Sequence, residues 1–200
     1  MSNPSPKPAE TPDVSGALFQ DGIERGANFS EDALADILRI EHASYPQSWH
    51  YEDEEEHYAA MLRDPRTVHL FLKVGGHRVG YLLGRPHSDL FDELAEHDLP
   101  LTDDPQCCYI ETTAILPAYA GRMGLTRLTR ALADHLVRHT ELGLCRISAH
   151  ARVNNHVYEL VKLSYRTHQL MEDRALESWH FGGGEPYRYL KWNLCPPPEP

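Results

Sequence analysis

The apolar positions along the chain change period several times, and each change marks an element. After Ser30, a residue suited to capping a helix, Ala33, Leu34, Ile37 and Leu38 fall at helical spacing until Pro46. A second helix is predicted over 52–63, apolar through Tyr58, Ala59, Met61 and Leu62. The period then drops to two. Val68, Leu70 and Leu72 alternate with His69, Phe71 and Lys73; Gly75-Gly76 turns the chain and 79–84 returns, which predicts a hairpin. A strand is predicted over 107–116, ended by Pro117. Gly121 and Gly124 open a helix whose Leu125, Leu128, Leu132 and Leu136 form one stripe, and Gly143 is expected to end it. A strand over 145–151, a helix over 155–163 and strands over 168–172 and 187–194 follow. Residues 14–28 are ambiguous, with Val14, Leu18, Phe19 and Ile23 able to form a first edge strand. Helices alternating with strands predict an α/β domain with a mixed sheet.

Composition adds boundaries. With 200 residues, 41% of them hydrophobic, the chain suits one domain with a real core. Pro4, Pro6, Pro8 and Pro12 mark 1–13 as a flexible tail; 14–194 is read as a single domain and 195–200 as a second flexible tail. Residues 88–105 read as an acidic insertion carrying a short helix over 89–97. No apolar run is long enough to span a bilayer, and the start of the chain lacks the apolar core of a secretory signal, so no membrane partner is expected. Cys107, Cys108, Cys145 and Cys195 show no paired spacing and are read as reduced thiols of a cytoplasmic protein.

The formal net charge of −11 argues against a nucleic-acid partner. It favours a cationic one, an amine or a basic peptide, although acidity also serves plain solubility. Among thirteen histidines, His135 and His139 stand at i, i+4, but no H-E-x-x-H accompanies them, so no metal is expected.

The chemistry concentrates at 109–136, where a strand feeds a glycine-containing turn and then a helix N-terminus. Unsatisfied backbone N–H groups and the helix dipole make such a place an anion site. It is neither a Walker loop nor a G-x-G-x-x-G fingerprint, and alone it is a common connection. Taken in order, however, the segments resemble the GNAT acetyltransferases. Ile115-Leu116-Pro117-Ala118-Tyr119-Ala120-Gly121-Arg122-Met123-Gly124-Leu125 stands where that family has an apolar-x-Pro step followed by Tyr-Arg-Gly-x-Gly-x-Gly or Ala. The hairpin resembles the family's second and third strands, 39–49 its first helix and following loop, and 152–165 its later asparagine-and-helix segment. The resemblance covers about 30–194. Ungapped, Ala120 replaces an arginine or glutamine, Met123 a glycine and Leu125 a small residue. A one-residue insertion instead puts Gly124 and Thr126 on the last small positions, with Gly121 where arginine belongs.

The resemblance implies a GNAT acyl-CoA N-acyltransferase fold: a mixed, mostly antiparallel sheet flanked by helices, with a splay between two central parallel strands, here 107–116 and 145–151. It implies acetyl-CoA as cofactor and an N-acetyltransferase acting on a primary amine of a small molecule or protein. The diphosphate would meet Gly121, Arg122, Met123, Gly124, Leu125 and Thr126. The pantetheine arm would meet Ala114, Ile115 and Leu116, with Asn154 beside it. Glu111 is implied as the general base that takes a proton from an amine mostly charged at neutral pH. Thr112, Thr113, Tyr45 and Trp49 would border the acceptor, and Tyr158 is the tyrosine nearest the family's proton donor to the leaving thiolate. Each has a plain alternative: an exposed strand glutamate, ordinary strand formers, a helix cap at Asn154, packing at Tyr158. The acids at 52–56, interleaved with Tyr45, Trp49, Tyr51 and Tyr58, suit a cationic amine, and equally a solvated first helical turn. A catalytically silent domain of the same fold, serving as a protein-interaction or CoA-binding module, is the alternative function. Self-association into a homodimer stays open.

Overall fold

The computed structural model describes residues 22–26, 29–50, 52–121, 123–153, 156–176 and 186–195. Arg122, Asn154 and Tyr51, the segment 1–13 and most of 195–200 lie outside these residues. Helix α1 (Glu31–Ser44) starts where expected, because the Ser30 hydroxyl accepts the Ala33 N–H at 3.0 Å. It stops where Tyr45 turns extended ahead of Pro46. A 3-10 turn (Gln47–Trp49) leads to α2 (Glu54–Arg63). Gly75 and Gly76, both at positive φ (59° and 79°), close the hairpin of β2 (Val68–Val74) and β3 (His77–Pro86). Then come α3 (Phe91–His97), β4 (Cys107–Ile115), α4 (Gly124–Arg138), β5 (Arg146–Arg152), α5 (Val157–Ser164), β6 (Gln169–Ala175) and β7 (Tyr187–Asn193).

Several boundaries move. The ambiguous first segment contains β1 (Gly22–Gly26), which holds Ile23; Val14, Leu18 and Phe19 lie outside the described residues. Gly143 does not end α4: the helix stops at Arg138, and a 3-10 turn (Thr140–Leu142) separates it from Gly143 at φ 68°. The short helix of the insertion begins at Phe91 because a separate 3-10 turn (His87–Asp89) takes up the residues before it.

The seven strands form one sheet in the order β1-β2-β3-β4-β5-β7-β6, antiparallel except between β4 and β5. On one face α4 and α5 bury Leu128, Leu132, Leu136, Val161 and Tyr165 against Leu70, Leu72, Leu82, Ile110, Ile147 and Trp192. On the other, α1 and α2 bury Ile37, Ile40, Met61 and Leu62 against Phe71, Tyr81, Leu83 and Ala114. The stretch 88–105 joins this second face, with Leu90, Leu94 and Leu101 against Tyr109 and Tyr189. Its buried acids turn inward. Asp98 accepts from Arg174 Nη2 at 2.8 Å and meets His150 Nε2 at 3.1 Å, while Asp104 pairs with Lys191 at 2.6 Å and Arg146 at 2.8 Å. Asp98 and Asp104 thus neutralise basic strand residues from within the fold.

Candidate active site

The parallel pairing of β4 with β5 covers only Cys107↔Arg146, Cys108↔Ile147 and Tyr109↔Ser148. Beyond it β4 runs on to Ile115 and β5 to Arg152 without pairing to each other. The sheet therefore opens into a splay. Leu116 N–H donates to Val79 O at 2.9 Å, so by strand alternation the peptide groups of Ile115 and Thr113 turn the other way, into the opening. Two carbonyls on that edge are held from α1: Ser44 Oγ donates to Ile115 O at 3.1 Å and the Tyr45 hydroxyl to Thr113 O at 2.6 Å. The backbone N–H groups of Thr113 and Ile115 face the same opening.

The N-terminus of α4 stands at the end of this opening. Its first intrahelical bond runs from Arg127 N to Met123 O at 3.0 Å, so the amides of Gly124, Leu125 and Thr126 precede the ladder. Among the described residues no side chain caps them, and the buried Thr126 hydroxyl in this turn has no hydrogen-bond partner. A Cβ on Gly124 would lie 2.7 Å from Ile115 Cδ1 and 2.9 Å from Leu72 Cδ2, so any larger residue must push these side-chain ends aside to start the helix this close to the end of β4. Gly121 and Met123 both have positive φ, 76° and 58°. That explains the family glycine at the second position: Met123 holds a left-handed conformation that costs a side-chain-bearing residue about 1–2 kcal/mol. Donors, dipole and close backbone approach fit the diphosphate end of acetyl-CoA, and the splay fits its extended arm.

Between β3 and β4 the register slips by one residue, pairing Leu83 with Thr112 but Gly84 with Ile110. Glu111 is the extra residue of this bulge. Bulges redirect a side chain, and here the Glu111 carboxylate meets His57 Nε2 at 3.0 Å and Arg85 Nη1 at 3.1 Å, on the face that carries α1 and α2. Next to it, Tyr81 joins Thr112 Oγ1 at 3.2 Å and donates to Glu41. Burial raises the Glu41 carboxyl above its ordinary range, partly offset by the bond from Tyr81. The Thr113 hydroxyl turns back to Tyr81 O at 2.8 Å and is engaged within the sheet.

Tyr45 and Trp49 stack at 5.3 Å, and the Arg152 guanidinium lies 3.5 Å from the Trp49 ring centre. Arg152 ends β5, so Tyr45, Trp49 and Arg152 link the two splayed strands, and Trp49 already holds a cation of the protein's own. Tyr158 is not brought to this cluster. Its hydroxyl donates to Asp173 Oδ2 at 2.8 Å and accepts from Lys162 at 2.9 Å, over β6, two strands beyond β5. His57, Arg85, Glu41, Tyr81, Ser44 and Arg152 belong to the site without any local motif to announce them. Only the bulge brings His57 and Arg85 to Glu111.

Comparison with known proteins gives the same picture. No curated protein matches the chain in sequence. Among solved structures, the ribosomal-protein-S18-alanine N-acetyltransferase of Escherichia coli superposes with TM-score 0.55 at 16% identity, covering 88% of this chain and 96% of that one. An aminoglycoside 6'-N-acetyltransferase solved with coenzyme A gives 0.58 at 10%, covering 88% and 99%. A spermidine N-acetyltransferase chimera from Vibrio cholerae and hSSAT gives 0.60 at 16%, covering 86% and 95%. At these identities the likeness is one of fold. The sequence model described as Acetyltransferase (GNAT) family matches residues 34–160, which run from within α1 through the first half of α5 and include the splay, the bulge and the uncapped helix start. The chain belongs to the GNAT acetyltransferase family, the acetyl-CoA-dependent N-acetyltransferases.

Proposed function

We propose that this N-acetyltransferase acts on a cationic, small-molecule amine that reaches the splay from the α1/α2 face, with Glu111 as general base. The observation that carries the reading is the opening between β4 and β5, which has the uncapped start of α4 at one end and the Glu111 bulge beside it. Acetyl-CoA, when bound, supplies an activated thioester carbonyl. The residues that would hold it are Gly121, Met123, Gly124, Leu125 and Thr126 at the diphosphate, and Ile115 along the arm, whereas Ala114 and Leu116, expected there from sequence, turn their backbone N–H groups to β3 instead; Arg122 and Asn154 are proposed from sequence alone. The inward-facing N–H groups of Thr113 and Ile115 are donors for a carbonyl oxygen that gains charge as the amine adds. Glu111, fixed by His57 and Arg85, takes the amine proton directly or through a water. Thr112, Tyr45 and the buried Glu41 border the approach. A leaving thiol with a pKa near that of cysteine, about 8.5, departs readily near neutral pH, so Tyr158 can stay in its ion-pair network.

The acidic approach and the net charge of −11 favour a polycation. Spermidine and an aminoglycoside, named for two of the structural neighbours, are the first acceptors to test. The four cysteines, free in the structure, suit a cytoplasmic setting. The test is a thermal-shift titration with acetyl-CoA and CoA, followed by a thiol-release assay over a panel of amines. A stabilising shift and release with polyamines are expected. No shift at millimolar ligand would favour the catalytically silent reading.

A further inference from the structure

Three side chains that play no part in the acetyl-transfer reading converge between α1 and α2. His42 stands in the last turn of α1, His50 follows the 3-10 turn, and Glu54 is the first residue of α2. His42 Nε2 lies 2.7 Å from Glu54 Oε2 and His50 Nδ1 lies 3.1 Å from Glu54 Oε1. One ligand atom from each lies within 4.8 Å of the other two. The imidazoles meet edge to face at 4.4 Å between centres. The structure assigns a new site here: we propose that His42, His50 and Glu54 bind one zinc ion, leaving a fourth position for water.

The donor set selects the metal class. Two imidazole nitrogens and one carboxylate form a recurring three-ligand zinc set, whereas magnesium and calcium prefer oxygen throughout. Ligand bonds of about 2.0–2.2 Å at tetrahedral angles place ligand atoms ~3.3 Å apart, so on binding the two His–Glu contacts, 2.7 and 3.1 Å, open toward that spacing and the remaining separations, within 4.8 Å, close toward it. His42 is exposed enough to give a path from solvent, while the Glu54 carboxylate is only 7% exposed.

Charge supplies the second argument. Glu54 is a buried carboxylate held between two imidazoles. A divalent cation would neutralise this buried negative charge. The alternative arrangement is a metal-free triad in which each ring donates a proton to Glu54. The two differ in whether added zinc binds there.

The loop between the two histidines carries Ser44 and Tyr45, which hold the β4 edge, and Trp49, which meets Arg152. Zinc would staple both ends of this loop. That consequence rests on the proposed acceptor side; the metal site does not.

The experiment is calorimetric titration of zinc and, separately, magnesium into the untagged full chain after chelator treatment, repeated with His42→Ala and Glu54→Gln. Cobalt(II) absorption serves as a second readout. The expected result is one zinc equivalent at micromolar affinity or tighter and no magnesium binding. Cobalt should give the intense visible bands of a low-coordinate site, and zinc affinity should fall at least ~10–100-fold in each variant. His42→Ala removes an exposed ligand at the helix end, so it remains informative if Glu54→Gln fails to fold. Zinc binding that survives in a folded His42→Ala chain, or no zinc binding to the wild-type chain at 100-micromolar order, overturns the proposal. Either result leaves the acetyl-transfer reading intact, because that reading is judged by acetyl-CoA binding and thiol release.

Discussion

Replacing Glu111 with glutamine tests the proposed chemistry most directly. The side chain sits on the β4 bulge, 15% exposed, between His57 at 3.0 Å and Arg85 at 3.1 Å. Glutamine has the same length. Its carbonyl oxygen still accepts from Arg85, and its amide donates to His57 once that ring carries its proton on Nδ1. The bond from Arg85 keeps its charged donor but loses the ion pair, and the His57 contact becomes neutral, at a cost of about 1 kcal/mol of stability. For a chain of this size that is ~2–4 °C in Tm. The kinetic cost is much larger. A positioned general base contributes ~10²–10⁴ in rate, equal to ~3–5 kcal/mol of barrier. Glu111→Gln is therefore expected to lose at least a hundredfold in kcat at pH 7, with KM for acetyl-CoA unchanged within about twofold, since no cofactor contact is assigned to Glu111. Alkaline pH restores part of the rate. About one lysine-like amine in 2,500 is free at pH 7 and about one in 25 at pH 9, so more acceptor arrives already deprotonated. The assay is initial-rate thiol release from pH 6 to 9. A variant within threefold of wild type at pH 7, with Tm unchanged, removes Glu111 from the mechanism and makes its pairing with His57 and Arg85 purely structural.

Four further outcomes are expected. Met123→Gly relieves a left-handed residue, worth about 1–2 kcal/mol, against a glycine entropy cost of about 0.5–1; Tm should rise by ~1–4 °C in a thermal melt, and a fall contradicts the strained start of α4. Gly124→Ala forces a Cβ against Ile115 and Leu72, and should raise KM for acetyl-CoA several-fold while lowering stability by ~1 kcal/mol, read from steady-state kinetics and a melt. Burial alone would raise the Asp98 carboxyl, but bonds from His150 and Arg174 hold it at about 2. Its folded value is thus depressed, so its contribution of ~2.5 kcal/mol is fully present above the ordinary aspartate range and is lost as pH falls from ~4 through ~2. Asp98→Asn should lose about 3 kcal/mol at pH 7 and show a shallower acid limb in urea titrations. Tyr158→Phe should leave kcat within about threefold while lowering stability by ~1 kcal/mol; a hundredfold kinetic loss would return its hydroxyl to the leaving thiolate.

The elements that could be read from sequence were those with a strong period or a fixed local signal. Ser30 caps α1 through its own hydroxyl, Gly75-Gly76 can hardly do anything but turn, and the leucine stripe of α4 needs only its spacing. Gly143 misled because a glycine at positive φ ends a 3-10 turn as readily as a helix. The splay was anticipated from family resemblance; no residue pattern encodes where two parallel strands part. The bulge at Glu111 depends on how two strands 26 residues apart register, as the Arg85–Glu111 contact shows, and so is invisible in either strand alone. His42, His50 and Glu54 escaped notice for a similar reason. Their spacing crosses a helix end, a 3-10 turn and a second helix start, so only the α1–α2 fold-back brings them together. The inward pairing of Asp98 and Asp104 could not be read from 88–105 alone, because their counter-charges, Arg146, Arg174 and Lys191, lie far along the chain.

The short seam of parallel pairing has a mechanical consequence. Cys107 to Tyr109 act as the spine of a two-leaved book, one leaf made of β1 to β4 and the other of β5, β7 and β6. Asp98, reaching from beside the first leaf to His150 and Arg174 on the second, staples the bound edge, while the stack of Tyr45, Trp49 and Arg152 spans the pages near the open side. Whatever slides between the pages must set their angle, so hydrogen exchange in the outer half of β5 should report how far the book stands ajar at each stage of turnover.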